Sequence, residues 1–226
     1  MARQVEQLDA DRVRDRLAGV RDRIAAAGRD PTDVELLAAV KYVPVEEMGV
    51  LADAGVTLVG ENTAQALAAK QERWGDRFTW DFIGHLQSRK TKDVLPRVRL
   101  IHSVESESVL GRIERLADAP VRVLLEVNVA GEESKYGVPV AEVDRFVASA
   151  GEGILFGGLM TMPPFAERPE DARPYFARLR ELRDRLQAEW EGRHDFTALS
   201  MGTSQDYEAA AAEGATILRL GGVLYA

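Results

Sequence analysis

Residues 36–41 read Leu36-Leu37-Ala38-Ala39-Val40-Lys41, and Tyr42-Val43-Pro44 follow at once. The apolar run is too short for a helix and stops abruptly at an amine, so it reads as a buried strand with a lysine at its C-terminal end. In parallel α/β proteins that end is where chemistry is placed, because the loops leaving it converge on one crevice. A free lysine titrates at about 10.4 and is a poor nucleophile at neutral pH, but desolvation at an apolar strand end lowers that value and frees the lone pair needed to form an imine. The strand alone favours an ordinary solvated lysine that snorkels outward, since most lysines are solvated. The remainder of the chain decides between them.

Outward from this strand, beyond the turn Asp30-Pro31-Thr32-Asp33, short apolar runs alternate with amphipathic helical patterns. The runs are Glu35 to Val40, Val56 to Val59, Phe78 to Ile83, Arg99 to His102, Val121 to Val127, Ile154 to Leu159, Phe196 to Leu199 and Thr216 to Leu218. Helices are expected at Val45 to Ala54, Thr63 to Trp74, Ser106 to Ala117, Val140 to Ser149, Glu170 to Trp190 and Gln205 to Ala212. Strands that alternate with helices pair in parallel through right-handed crossovers, and eight such runs predict a single α/β domain over residues 1–226, a closed (β/α)8 TIM barrel. A Rossmann sheet is disfavoured because no GxGxxG follows an early strand. An additional N-terminal helix from about Val5 to Ala27 carries Val13, Leu17, Val20 and Ile24 on one face and stops at Gly28. Little sequence follows the last strand, so this helix is expected to cover the wall between the first and last strands.

A net charge of −8 in 226 residues argues against nucleic acid and anionic membranes as partners. The absence of cysteine removes disulfides, thiolate metal sites and cysteine nucleophiles. His85, His102 and His194 lack metal-motif spacing, and no segment has signal-peptide or membrane-spanning character, which makes the cytoplasm the expected location.

The strand ends collect Lys41, Glu61, Asn62, Gly84, His85, His102, Ser103, Asn128, Met160, Ser200 and Arg219, a polar set that a purely structural barrel face does not require. After the seventh strand comes Ser200-Met201-Gly202-Thr203-Ser204-Gln205-Asp206, and after the eighth Arg219-Leu220-Gly221-Gly222. Phosphate sites in this fold are frequently built by these two loops, where glycines let backbone N–H groups approach the anion, so Ser200, Gly202, Thr203, Ser204, Gly221 and Gly222 are the expected cradle. Strands one and eight are neighbours in a closed barrel. One small ligand carrying a phosphate and an aldehyde could therefore reach both the cradle and Lys41, with Arg219 near its ring nitrogen; pyridoxal 5′-phosphate is such a ligand.

These motifs resemble the pyridoxal phosphate homeostasis proteins, whose barrel is similar to the N-terminal domain of alanine racemase. The resemblance is carried by Leu36 to Lys41, Gly60-Glu61-Asn62, Phe82-Ile83-Gly84-His85-Leu86-Gln87-Ser88-Arg89-Lys90, Ile101-His102-Ser103-Val104, Val127-Asn128 with Ser134-Lys135-Tyr136-Gly137, Gly158-Leu159-Met160-Thr161-Met162-Pro163 and Leu199-Ser200-Met201-Gly202. It implies that Lys41 forms the internal aldimine, that Asn62 and His85 border the cofactor, and that Arg219 faces the pyridine. Where the family often reads Lys-Thr-Lys-Pro, this chain has Lys41-Tyr42-Val43-Pro44, and Thr63 stands where an aromatic is common.

The resemblance implies a non-catalytic carrier or regulator in vitamin B6 and amino-acid homeostasis. The small-molecule cofactor and pyridoxal-phosphate-dependent enzymes are its expected partners, and a monomer is its expected state. The alternatives are an amino-acid racemase-like enzyme, which would need a second base opposite the lysine, and a Schiff-base aldolase on a phosphosugar, which would not require Arg219.

Overall fold

The computed structural model describes residues 7–132, 136–165 and 167–225; expectations at Val5, Ser134 and Lys135 lie outside the described residues. Eight strands form the barrel: β1 Glu35–Ala39, β2 Leu58–Glu61, β3 Thr79–Phe82, β4 Leu100–Val104, β5 Val121–Asn128, β6 Ile154–Met160, β7 Ala198–Thr203 and β8 Ile217–Leu220. They pair in parallel in the order β4-β3-β2-β1-β8-β7-β6-β5, and β4–β5 pairing closes the ring. A two-residue ladder, Val138–Pro139, adds to the end of β5 outside the ring.

The helices are α1 Ala10–Ala26, α2 Met48–Asp53, α3 Ala64–Trp74, α4 Thr91–Val94, α5 Glu107–Leu116, α6 Val143–Ala148, α7 Arg173–Glu189, α8 Tyr207–Ala212 and α9 Gly222–Tyr225. The Asp9 carboxylate caps α1 by accepting from Arg12 N–H, and Gly28 turns the chain away at φ +85°. Val13, Val20 and Ile24 are buried against α2, α8 and α9, and each contributes about 1.5–3 kcal/mol of apolar burial. Arg14 and Arg16 donate to the carbonyls of Asp53 and Leu224. Because α2 follows β1 and α8 precedes β8, α1 lies over the seam between the first and last strands, as its apolar stripe predicts. The one-turn helix α9, which the sequence pattern does not announce, supplies part of that seat.

Side chains inside the barrel are stacked by the two-residue period of the strands. Leu37, Leu58, Leu100, Leu124, Met160, Ala198 and Ile217 form an enclosed apolar cluster. Gly60 makes room for it, since a Cβ there would stand 2.5 Å from Leu37 Cδ2. Two residues further along four strands, Leu100 gives way to His102, Leu124 to Glu126, Ala198 to Ser200 and Ile217 to Arg219. The barrel is therefore oily below and polar toward its C-terminal mouth.

One boundary differs in a way that affects the site. The seventh strand is expected at Phe196 to Leu199 with a loop from Ser200, whereas β7 continues through Thr203. Ser200 is wholly buried among other polar groups, so a polar residue is accommodated within the strand instead of ending it. At Gly202, φ is +88° and a Cβ would lie 2.5 Å from Ala210 Cβ, which leaves glycine the fitting residue at this close approach of strand and α8.

Candidate functional site at the C-terminal mouth

Lys41 lies two residues beyond β1 in an exposed turn, its ammonium 5.0 Å from the centre of the Tyr42 ring. The expectation of a lysine desolvated by its own strand is thus corrected: apolar residues end at Val40, and the turn carries Lys41 out into solvent. Among the described residues the buried lysine is Lys70, 4 % exposed. Its ammonium donates to Glu61 Oε2 at 2.5 Å and to the carbonyl of Val40 at 2.6 Å. Glu61, fully buried, also accepts the N–H of Asn62 at 2.7 Å through Oε1. Glu61 is therefore not a free crevice residue. It holds the end of β2, and through Lys70 the residue preceding Lys41.

From the opposite mouth through the barrel centre a directional chain of hydrogen bonds runs across five strands. Arg99 donates to both oxygens of Asp81 at 3.0 and 2.7 Å and to Glu35 at 2.6 and 3.0 Å. His102 meets Asp81 Oδ2 through Nε2 at 3.0 Å and Ser200 Oγ through Nδ1 at 2.8 Å. Arg219 donates to Ser200 Oγ at 2.6 Å, to the carbonyl of Thr161 at 2.9 Å and to the sulfur of Met162 at 2.9 Å. Burial holds the His102 imidazole below its usual pKa, with Arg219 and Arg99 assisting against the hydrogen bond that His102 donates to Asp81. Burial raises the Asp81 carboxyl, but hydrogen bonds from His102 and Arg99 outweigh it and leave it lowered. Asp81 is accordingly ionised and His102 neutral. One tautomer then satisfies every partner: Nε2–H donates to Asp81, Ser200 O–H donates to Nδ1, and Arg219 donates to Ser200.

Arg219 is 5 % exposed, and burial depresses its pKa to about 10 against the pull of Glu126 and Asp206. Glu126, 6 % exposed, is raised to about 7 by burial and by Glu105, with Arg219 opposing. The mouth thus holds one fixed cation and one carboxyl that carries its proton near neutrality.

At and past the ends of β7 and β8 two sets of donors converge. Gly221 N–H and Val223 N–H both donate to Ser204 Oγ at 3.0 and 3.2 Å, while Thr203 N–H and Oγ1–H both donate to the Asp206 carboxylate at 2.6 and 3.0 Å. Gly222 is exposed with open space at its Cβ position. Gly202, Thr203, Ser204, Gly221 and Gly222 are therefore brought together. Ser200 is not with them: it sits deeper, its hydroxyl shared by His102 and Arg219, which corrects its expected place in the cradle loop.

His85 is on the rim, its Nδ1 2.7 Å from Glu105 and its ring stacked on Tyr136 with centroids 4.4 Å apart. Glu105 also accepts the N–H of Gly137. Asn62 is half-buried at the start of the loop after β2. Asn128 closes its own turn, donating to Glu132 O and accepting from Gly131 N–H. At the opposite mouth a cleft of about 290 Å³ includes Arg99 and Arg122, but both are already paired, Arg99 as above and Arg122 with Asp195. Among the described residues, no group of three His, Cys, Asp or Glu side chains could hold a metal ion, and no helix is long and apolar enough to cross a membrane.

Asp81, Arg99, Glu126 and Lys70 escape the sequence reading. The signal was present for two of them: a single carboxylate inside an otherwise apolar strand, Thr79-Trp80-Asp81-Phe82 and Leu124-Leu125-Glu126-Val127, implies a buried charge with a partner or a task.

Residues 8–226 match the family described as "Alanine racemase, N-terminal domain". The pyridoxal phosphate homeostasis protein of Aquifex aeolicus is 41% identical over 221 residues, covering 93% of this chain and 96% of its own. That of Escherichia coli K12 is 33% identical over 226 residues, with 92% and 94% covered. Among solved structures, an unknown protein from Bifidobacterium adolescentis superposes with a TM-score of 0.87 at 35% identity, covering 99% of this chain and 100% of that one. PipY of Synechococcus elongatus PCC7942, solved with PLP bound, superposes at 0.80 and 29% identity, covering 95% and 100%. Alanine racemase of Corynebacterium glutamicum shares the fold at a TM-score of 0.72 and 11% identity, this chain spanning 61% of it. A polar-mouthed barrel with a rim lysine, two glycine-bearing loops and a buried arginine, together with matches over nearly its whole length, makes this chain a member of the pyridoxal phosphate homeostasis protein family.

Proposed function

We propose that the protein binds pyridoxal 5′-phosphate in the C-terminal mouth of the barrel through an imine to Lys41 and acts as a non-catalytic carrier or regulator in vitamin B6 and amino-acid homeostasis. The observation that carries this reading is the juxtaposition of Arg219 with the loop that leaves its own strand. A buried guanidinium stands in the mouth, and two residues on begins a set of N–H groups converging on a single oxygen, Ser204 Oγ. That donor set fits a phosphate, since a phosphate oxygen can replace the hydroxyl with a stronger, charge-assisted acceptor. Gly202, Thr203, Ser204, Gly221 and Gly222 would hold the phosphate. Arg219 would face the ring nitrogen, positioned by Ser200, and Asn62 and His85 would border the ring. The exposed turn lets Lys41 reach a ligand aldehyde without unfolding the strand.

When bound, the cofactor supplies an aldehyde and an electron-accepting ring. An arginine facing the ring nitrogen keeps it unprotonated and the electron sink weak, which favours holding the cofactor over carbanion chemistry. Within the barrel, His102 is committed to Asp81 and Ser200, so it has no lone pair to offer a substrate. We expect a monomer that works in the cytoplasm and passes cofactor to pyridoxal-phosphate-dependent enzymes.

The test is borohydride reduction of the cofactor-loaded protein followed by peptide mass spectrometry. One adduct on Lys41, lost in Lys41→Ala with the fold retained, is expected; an adduct on another single lysine in wild type would overturn the assignment. Glu126 favours a second reading, a racemase-like enzyme in which this carboxyl moves a proton. Turnover of amino-acid enantiomers at roughly 10 per second, abolished in Glu126→Gln, would establish that reading instead.

A further inference from the structure

We propose that Met162 is an oxidation-sensitive cap on the cofactor pocket: a hydroperoxide converts its thioether to the sulfoxide, which holds Arg219 more tightly and weakens pyridoxal phosphate binding. The inference rests on the binding reading above.

Arg219 has two strong oxygen acceptors, Ser200 Oγ at 2.6 Å and the carbonyl of Thr161 at 2.9 Å, and one weak one, the sulfur of Met162 at 2.9 Å. A thioether is a poor acceptor for a buried guanidinium, so the contact is readily given up to a better one. The residue making it is accessible. Met162 is 50% exposed, on the loop that follows Thr161, whereas Met48, Met160 and Met201 are all buried at 2% exposure or less. Among the described methionines, the one that oxidant can reach is the one touching the arginine assigned to the ring nitrogen.

The step balances simply. The O–O bond of hydrogen peroxide breaks, one oxygen bonds to sulfur, the sulfur loses two electrons, and water leaves; an organic hydroperoxide leaves an alcohol. The product replaces a soft lone pair by a polar S–O oxygen, a strong acceptor beside a cation. A ligand must then displace a charge-assisted hydrogen bond to reach the same N–H group. The reverse reaction needs a thiol reductant and a sulfoxide reductase, which remove the oxygen as water while two thiols become a disulfide.

The full-length protein, freed of cofactor, is titrated with pyridoxal phosphate before and after mild hydrogen peroxide, and the oxidised methionines are located by peptide mass spectrometry. One oxygen is expected at Met162 with Met48, Met160 and Met201 unmodified, and the apparent Kd should rise about tenfold, the size expected for one charge-assisted hydrogen bond. Sulfoxide reductase with a thiol should reverse the change. Met162→Leu should bind equally before and after peroxide, and Met162→Gln, which places an amide oxygen near Arg219, should bind more weakly than Met162→Leu without any oxidant. An unchanged Kd after oxidation confined to Met162, resistance of Met162 to peroxide while buried methionines react, or an equal loss of affinity in Met162→Leu would each overturn the proposal. Failure of the untreated protein to bind pyridoxal phosphate would instead overturn the reading on which it rests.

Discussion

Replacing Lys70 by methionine should be among the most damaging single substitutions in this barrel, although Lys70 is not assigned to the cofactor. Methionine keeps the unbranched stem and removes only the ammonium, so little cavity is created. What is lost is the 2.5 Å ion pair to Glu61 and the 2.6 Å hydrogen bond to the carbonyl of Val40, between side chains 5% and 0% exposed. Glu61 would be stranded in the interior with the N–H of Asn62 as its remaining partner. Breaking a buried pair by removing one member costs roughly 3–5 kcal/mol, because the other charge stays desolvated and unpaired. At roughly 2–4 °C per kcal/mol for a domain of this size, the midpoint of thermal unfolding should fall by about 6–20 °C.

The assay is urea unfolding by circular dichroism on wild type, Lys70→Met, Glu61→Gln and the double variant. The double variant removes both charges and should recover part of the loss, giving a coupling free energy of about 2 kcal/mol or more. A second readout ties the pair to function: with Val40 less firmly held, the borohydride-fixed adduct should form in lower yield although Lys41 is untouched. Single variants that each cost less than about 1 kcal/mol and add without coupling would refute the reasoning, since the pair would then be no more than a surface-like contact.

Glu126→Gln tests the raised carboxyl. Its folded pKa of about 7 lies above the ordinary value near 4.5, so its contribution is fully present below the unfolded pKa and is lost as pH rises to about 7. The stability of Glu126→Gln relative to wild type should therefore increase by roughly 2–3 kcal/mol between pH 5 and pH 8, and a difference independent of pH would count against it. His194 has the opposite sign: burial, then Arg193, depress it to about 4, so acidification from pH 6.5 to about 4 loads protons onto the unfolded chain and destabilises the fold. His194→Asn, which can keep an acceptor for the Phe156 N–H, should flatten that part of the pH–stability curve. Gly202→Ala should destabilise by about 2 kcal/mol or more, because the new methyl meets both a left-handed φ and Ala210 at 2.5 Å; urea midpoints equal to wild type would show that α8 yields freely.

The strand count, closure and covering helix were legible because each rests on hydrophobic period, which the sequence displays directly. Less legible was where a strand stops once its inward residues turn polar. Ser200 looks like loop chemistry in one dimension, yet in the barrel it lies across from His102, which is contributed by a strand 98 residues away in sequence. The same blindness hid Lys70: on α3 it occupies an amphipathic helix like many solvated lysines, and only the packing of that helix over β2 brings its ammonium to Glu61. Lys41 could be singled out by its position after a strand, but its exposure could not, because the turn it occupies is set by tertiary contacts of Val40 and Val43.

The two lysines divide between them properties that one residue cannot combine. On the proposed function, an amine that is to reach a ligand aldehyde needs freedom to swing, which an exposed rim position supplies, while the ligand it would join must meet it in a fixed register. Lys70 is immobilised, buried and spent on Glu61 and Val40, so it can anchor the turn but is not available as a nucleophile. Lys41 hangs one residue beyond that anchor, with the fixed cation Arg219 contributed by the adjoining strand β8, whose residue 219 is in register with Leu37 of β1. Conservative exchange should expose the division. Lys70→Arg keeps the charge but not the compact ammonium, so it should disturb stability more than covalent chemistry, whereas Lys41→Arg should leave stability unchanged and abolish the adduct. If Lys41→Arg lowered stability as much as Lys70→Arg, the anchor and the reaching arm would not be separate elements.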